Sequence, residues 1–320
     1  MNPVGSVRTL LNGTRRRGRG FLLAIMKRPR KIAGLFSVTL VLVVLGLFLD
    51  SRDHIFTVNA VTETASLVTT DGAFSEWRVS GASLLTDPFA TTADEIELPE
   101  NAYLLIRKGS EIDLQRHGTR AAKITLRAKD GRVGSIVMPD ADDRVLGSWA
   151  SLSIVADGRP LVWPFRGLLR VGDDVTSGVD SILLSGTVNI LEEQLFRDTR
   201  YNAGATELDR GDRIRFWKHA TGRAPKEAVV EGFFRIEPSN QESFTEPQNA
   251  IQLIAHGGAT FVNIERLGSS GYQIKATRWA RFLYDPLLAF IAGLGALLFA
   301  AIEVYSNIRE MIRDARHPDE

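Results

Sequence analysis

Lys123–Lys129 reads KITLRAK, with Ile124, Leu126 and Ala128 alternating with Lys123, Thr125, Arg127 and Lys129. A period of two puts the apolar residues on one face and the polar ones on the other, as in a half-buried strand. Asp130-Gly131 and then VGSIVM follow. Asp-Gly readily takes the positive φ angles of a tight turn between twisted strands, so a hairpin is expected here. Similar pairs stand at Asp71-Gly72, between TASLVTT and AFSEWRVS, and at Asp157-Gly158, after SLSIVA. Further strand candidates are AYLLIRK, SILLSGTVNI, GDRIRFW, AVVEGFFRI, AIQLIA and YQIKA. Only Ile190 to Asp198, with Leu191 and Leu195 four apart, reads as helical. Short strands between turn signals predict a mainly β domain over residues 50–283, an antiparallel sandwich, jelly roll or open barrel. A boundary near residues 164–180 would divide it into two β subdomains.

Outward from this region the composition changes. The chain as a whole, with 320 residues, 44% hydrophobic, 24% charged and a net charge of +1, has the averages of a soluble protein. Residues 1–31 nevertheless hold nine Lys or Arg and no Asp or Glu, and residues 32–49, IAGLFSVTLVLVVLGLFL, hold no charge. Thirteen of those eighteen are Leu, Val, Ile or Phe, which sums to about 4–8 kcal/mol toward insertion in a bilayer. The run reaches about 27 Å as a helix, enough to span once its flanks snorkel. A cleaved signal peptide would end in small residues, whereas Asp50, Ser51, Arg52 and Asp53 follow. A core helix apolar all round is out of place in a strand-rich domain.

The other flank is DPLLAFIAGLGALLFAAIEVY, Asp285–Tyr305. Its Leu, Ile and Phe residues contribute about 3–5 kcal/mol toward insertion, partly offset by Gly293 and Gly295. Arg278, Trp279, Arg281 and Tyr284 precede it, the cationic and aromatic mixture of a headgroup region. A second transmembrane helix is expected at 285–305, with 306–320 a short amphipathic cytoplasmic tail. Ala292, Ala296 and Ala300 lie four apart, as do Ala289 and Gly293. Such small-residue rows let helices pack closely, against the first span or a second copy.

The cations of the N-terminal arm, among them Arg15, Arg16, Arg17, Arg19, Lys27, Arg28, Arg30 and Lys31, hold the N-terminus in the cytoplasm, and a second crossing returns the C-terminus there. The arm could also lie on anionic lipid. It has no folded module or stacking surface beside it, so nucleic acid is not expected as a partner. Arg outnumbers Lys 31 to 8, a bias of GC-rich bacterial genomes. The expected location is a bacterial inner membrane with a periplasmic β domain. With no cysteine, the domain has no disulfide and no thiol chemistry.

RHGTR, Arg116–Arg120, resembles the active-site signature of the histidine acid phosphatases, in which the His is phosphorylated and the Arg residues hold phosphate. Here that resemblance would give His117 as nucleophile and Arg116 and Arg120 as the anion clamp. The family continues with Pro, in an α/β domain, and has a distant His-Asp. This chain has Ala121 and strands on both sides, and its other His residues precede Ile, Ala, Gly and Pro. A turn between strands is the expectation. Asp140, Asp142, Asp143, Asp173 and Asp174 read as solvated turn carboxylates, lacking the Gly and closing Glu of a calcium loop. His256-Gly257-Gly258 reads as a strand end, since no nucleophile elbow accompanies it. Trp77, Trp149, Trp163 and Trp217 are core residues or sugar-stacking platforms. No catalytic constellation, metal site or cofactor motif is found.

The function expected is therefore non-enzymatic, a two-tether envelope protein presenting its β domain as scaffold or adaptor to other proteins or to its own copies. The alternative is a lipid or glycan carrier; a hydrolase comes third. LLSGTVNI and GDRIRFW loosely resemble the β-jellyroll scaffolds of lipopolysaccharide transport, which have one span, and no family is identified on that likeness. Polysaccharide co-polymerases share the two-span plan but are long-helix proteins.

Overall fold

The computed structural model describes residues 54–71, 74–89, 91–117, 121–156, 159–172, 182–193, 199–219, 224–238, 250–266, 271–275 and 286–316. The basic arm and the apolar run at 32–49 lie outside the described residues, as do Arg278, Trp279, Arg281 and Tyr284. The chain divides into two compact units. One contains helix α1 (Pro286–Arg316), and the other, Arg52–Glu193 with Arg197–Arg281, contains every described strand.

The strands of the β unit are β1 (His54–Thr62), β2 (Thr64–Thr69), β3 (Glu76–Arg78), β4 (Ser83–Leu85), β5 (Ile96–Glu97), β6 (Tyr103–Ile106), β7 (Glu111–His117), β8 (Ala121–Arg127), β9 (Gly134–Val137) and β10 (Arg144–Leu146). They continue with β11 (Trp149–Val155), β12 (Leu161–Val171), β13 (Leu183–Glu193), β14 (Arg200–Leu208), β15 (Asp212–Lys218), β16 (Lys226–Glu227), β17 (Val229–Ile236), β18 (Ile251–Ala259), β19 (Phe261–Arg266) and β20 (Tyr272–Ile274). All pair antiparallel. The main ladder runs β14-β13-β1-β18-β17-β12-β2-β7-β8-β11-β4-β5, with β15 joining β12, β16 and β19, and β20 joining β19; β10-β9-β6-β3 form a second sheet. Strictly alternating burial along β12 and β18 shows one wet and one packed face. The buried residues of both sheets belong to one hydrophobic cluster.

Two continuous runs hold the β unit together. β1 pairs with β13 and β18, but β2, which follows after Glu63 alone, pairs with β12 and β7. At this crossing Glu63 donates its N–H to Ile182 O and accepts at its own carbonyl from Arg116 N, each at 2.9 Å. β12 likewise pairs with β17 over Leu161–Leu168 and, on its other edge, with β2 over Gly167–Val171. On the unladdered part of that edge the Pro164 carbonyl accepts from the Trp77 indole at 2.7 Å and the Arg166 carbonyl from Thr70 N at 3.1 Å. Pro164 is thus tolerated inside a strand, because the edge where its missing N–H would point has no partner strand there.

The Trp77 and Trp163 rings stack at 5.3 Å, and the Trp163 indole donates back to Arg78 O at 2.9 Å. Each indole therefore satisfies a carbonyl of the other's strand and joins the small sheet to the main ladder. Phe234 meets Trp77 edge-on and stacks on Phe165. These two tryptophans are core, not exposed platforms.

Two expectations need correction. The strands flanking Asp130-Gly131 do not form a hairpin: β8 pairs with β7 and β11, and β9 with β6 and β10. Gly131 does take φ 85°, but Val133, two residues on, is drawn into the core, so the chain leaves one sheet for the other. The strands around Asp71-Gly72 and Asp157-Gly158 likewise do not pair with each other. The helical reading of Ile190 to Asp198 is also overturned up to Glu193, which closes β13. There Ile190 faces the core, and a bulge at Ala203 of β14 keeps that ladder going. α1 runs unbroken from Pro286 to Arg316, so the expected span and the amphipathic tail after it form one helix as far as Arg316. Within it Ala289–Arg309, 21 residues, is long and apolar enough to cross a bilayer, reaching about 31 Å.

Candidate functional site

Register places the two ends of the β unit together. His54, which opens β1, lies opposite Ala259, the last residue of β18. Only Thr260 separates β18 from β19, and Ile274 at the close of β20 lies opposite Val262 in β19. Lys275 follows, its ammonium 5.2 Å from the Phe261 ring. With strands about 4.8 Å apart, His54 and Lys275 are within about 20 Å of each other. The chain enters and leaves the unit at one corner.

The side chains gathered there are aromatic and cationic. Trp217 stacks on Phe261 at 6.5 Å, and His219 lies 5.3 Å from the same ring while its N–H donates to Thr260 Oγ1 at 3.0 Å. Trp217 and Phe261 are cross-strand partners in the β15–β19 ladder, and Lys218 lies opposite Lys226 in the β15–β16 ladder. Lys218, Lys226, His219 and Lys275 are exposed and Trp217 is half-buried. Of the neighbouring carboxylates, Glu227 is held by both ends of the Arg170 guanidinium at 3.1 and 3.2 Å, and Glu193 faces Arg200 at 3.8 Å. A cation over an aromatic face beside an amphipathic Trp suits an interface between apolar and aqueous phases.

Glu192, buried at the end of β13, accepts from the Tyr201 hydroxyl at 2.8 Å and has His54 Nδ1 at 3.2 Å from its other oxygen. Chemically this ties β1 and β14 to β13. Asp212, fully buried, accepts from Arg266 Nε and Nη2 at 2.9 and 3.0 Å and from Asp209 N at 2.9 Å. Hydrogen bonding to Asp212 raises the Arg266 guanidinium above its ordinary range. Tyr272 lies against that guanidinium at 5.7 Å, and burial pushes its hydroxyl up. This set pins the β14–β15 turn to β19 and β20. Sequence reasoning missed both clusters, since their members stand far apart along the chain and look like ordinary surface charge.

On α1, Ala289, Ala292, Gly293, Ala296 and Ala300 fall within an arc of about 100°, and Glu303 and Asn307 continue it. Phe290, Leu294, Leu297 and Leu298 lie outside that arc and are exposed. The helix therefore has one narrow side of small residues and a broad bulky one.

Arg116 and His117 close β7, His117 opposite Ala121 at the start of β8, and the remaining residues of RHGTR, 118–120, lie outside the described residues. Arg116 is on the packed side with Ile112 and Leu114, and burial lowers its guanidinium. Asp140 accepts from Asn101 Nδ2 at 2.8 Å in the exposed turn between β9 and β10. Asp173 and Asp174 lie outside the described residues. His256 is inside β18, with Nε2 3.1 Å from Glu231. Among the described residues no group of three or more His, Cys, Asp or Glu could hold a metal ion. Comparison of the chain with known family models, curated proteins and solved structures finds no match.

Proposed function

We propose that this chain is a two-span bacterial inner-membrane protein whose β unit stands in the periplasm as a scaffold or adaptor of an envelope assembly. The observation that carries the reading is the corner shared by His54 and Lys275. A domain tethered at both ends to one membrane must present both ends to it, and an antiparallel unit that opened and closed at opposite ends would need a long return segment. The apolar run at 32–49 ends four residues before β1, and α1 begins eleven residues after Lys275. Two tethers fix the height and tilt of the β unit, which favours docking of proteins over capture of a diffusing substrate.

The test is purification of the full chain from its native membrane in mild detergent, followed by mass spectrometry of the intact assembly. Stoichiometric protein partners, or a defined number of copies of this chain, are expected. Bound lipid or glycan without protein partners would make it a carrier instead. Cysteines introduced singly at Ser6 and Glu193 and treated with a membrane-impermeant maleimide on whole cells test the topology. Labelling at Glu193 alone is expected; equal labelling at both positions would overturn the two-span arrangement.

A further inference from the structure

We propose that the wet face of β15, β19 and β20 is a binding subsite for an acidic saccharide, a uronic-acid sugar whose ring lies against Trp217 and whose carboxylate meets Arg215. Every residue involved belongs to the β unit, so the site goes beyond the scaffold role and stands whether or not the chain spans twice.

Register fixes which side chains share that face, because side chains alternate along a strand and directly opposed residues point the same way. In β15, Arg215 and Trp217 share one side, and Ile214 and Phe216, both buried in the core, share the other. Arg215 lies opposite Arg170 in β12 and opposite Asn263 in β19, and Asn263 lies opposite Gln273 in β20. Two residues along β15, Trp217 lies opposite Phe261, and the Lys275 ammonium is 5.2 Å from that ring. Strand spacing and rise put Arg215, Trp217, Asn263, Gln273 and Lys275 within a field of about 10 Å by 7 Å, the footprint of a disaccharide.

Charge on this face is unbalanced at Arg215. Glu227 is taken by Arg170 at 3.1 and 3.2 Å, and Glu265 is taken by Arg213 at 3.5 Å and by Asn263 Nδ2 at 3.2 Å. Arg215 faces a like charge across the ladder, and its Nε is buried without an acceptor among the described residues, although the side chain as a whole is partly exposed. The fold thus positions a guanidinium that it does not neutralise, and a planar carboxylate matches the fork of its N–H groups. Lys275 adds a second cation to the field. The remaining groups suit hydroxyls and a sugar ring. Asn263 keeps Oδ1 for a donor, Gln273 is exposed, and Trp217 presents an amphipathic ring only partly covered by its neighbours. An inorganic anion would use the guanidinium alone, and a neutral sugar would leave it uncompensated.

The full chain, in a detergent without a sugar headgroup, is titrated calorimetrically with trigalacturonate, with maltotriose as neutral sugar and acetate as free carboxylate. Saturable binding of trigalacturonate is expected, about tenfold or more tighter than either control. Arg215→Gln should weaken it by about tenfold or more, as for loss of a hydrogen bond to a charged group, and shift the melting temperature of the β unit by less than about 2 °C. Gln273→Ala, at an exposed position, should weaken binding by about threefold to tenfold. Lys226→Gln should leave it unchanged, because Lys226 lies one residue from Glu227 and so on the opposite side of the sheet from Trp217. No saturable binding of trigalacturonate, binding no tighter than that of acetate, or unaltered affinity in Arg215→Gln would overturn the subsite. Such a failure leaves the scaffold role untouched, since purification from the native membrane tests that role separately.

Discussion

Replacing Trp77 by Phe tests how the two sheets are joined. The ring survives in smaller form, but the indole N–H that meets the Pro164 carbonyl at 2.7 Å is lost. That carbonyl lies on the strand edge with no ladder partner, so it is left without its donor at a cost of about 1–3 kcal/mol. Loss of part of the stack on Trp163 and of the edge contact with Phe234 adds about 0.5–1.5 kcal/mol. The sum, about 2–4 kcal/mol, lowers the melting temperature of a unit of this size by about 5–15 °C. Trp163→Phe breaks the reciprocal bond to Arg78 O and should cost a similar amount. Because the two rings share one contact, the double variant should be less unstable than the sum of the singles by about 0.5–1.5 kcal/mol. Near-ultraviolet circular dichroism of the detergent-solubilised chain against temperature reads all three, with Trp149→Phe as a half-buried control. Shifts under about 2 °C for either single variant, or strict additivity in the double, would refute the account of the seam.

Other substitutions probe other links. Gly232→Ala drives a Cβ into the Ile254 carbonyl oxygen; the overlap is with backbone, and a loss of about 1–3 kcal/mol in chemical denaturation is expected. Asp212→Asn should lower the melting temperature more than Asp209→Asn, because Asp212 is fully buried and takes both ends of Arg266 while Asp209 is largely exposed; equal shifts would count against the buried pair as the anchor. Tyr272, with its hydroxyl pushed up by burial, contributes stability that is complete below about pH 10 and is lost as pH rises through the folded value. Tyr272→Phe should remove that alkaline loss in a pH series of melting curves. On the proposed two-span reading, Ala296→Phe should weaken pairing of α1 with another helix, read by energy transfer between labelled copies or by crosslinking to residues 32–49, and leave the melting of the β unit untouched.

The strands themselves were legible because alternation is local: KITLRAK, GDRIRFW and AVVEGFFRI each display two faces within seven to nine residues. Which strand sits beside which was not, since that depends on pairings such as His54 with Ala259, set by the closing of a whole core. The Asp-Gly pairs misled for the same reason. Their chemistry permits a turn at Gly131, but whether the next strand returns or departs is decided by the burial of Val133. Leu191 stands four residues before Leu195 and so suggests a helical period, yet β13 alternates straight through it, with Ile190 and Glu192 buried on either side, and the extra residue at the register shift, Ala203, belongs to β14. Pro164 looked like punctuation, and only the three-dimensional edge shows why a strand accommodates it. The corner where His54 and Lys275 meet combines residues from β1, β15, β19 and the end of β20, and no sequence window contains them together.

The pairing of β1 has a consequence for how the molecule is made. β1 leaves the ribosome first among the strands, yet its two neighbours, β13 and β18, begin at Leu183 and Ile251. At about 5–20 residues per second, β1 waits on the order of ten to forty seconds for the second of them. Until β13 emerges, Phe56 and Val58, later sealed in the core, lack both of the strands that β1 pairs with. Truncations that end before Ile251 leave one edge of β1 without its partner strand and are expected to accumulate as chaperone-bound or aggregated species, not as a stable smaller domain.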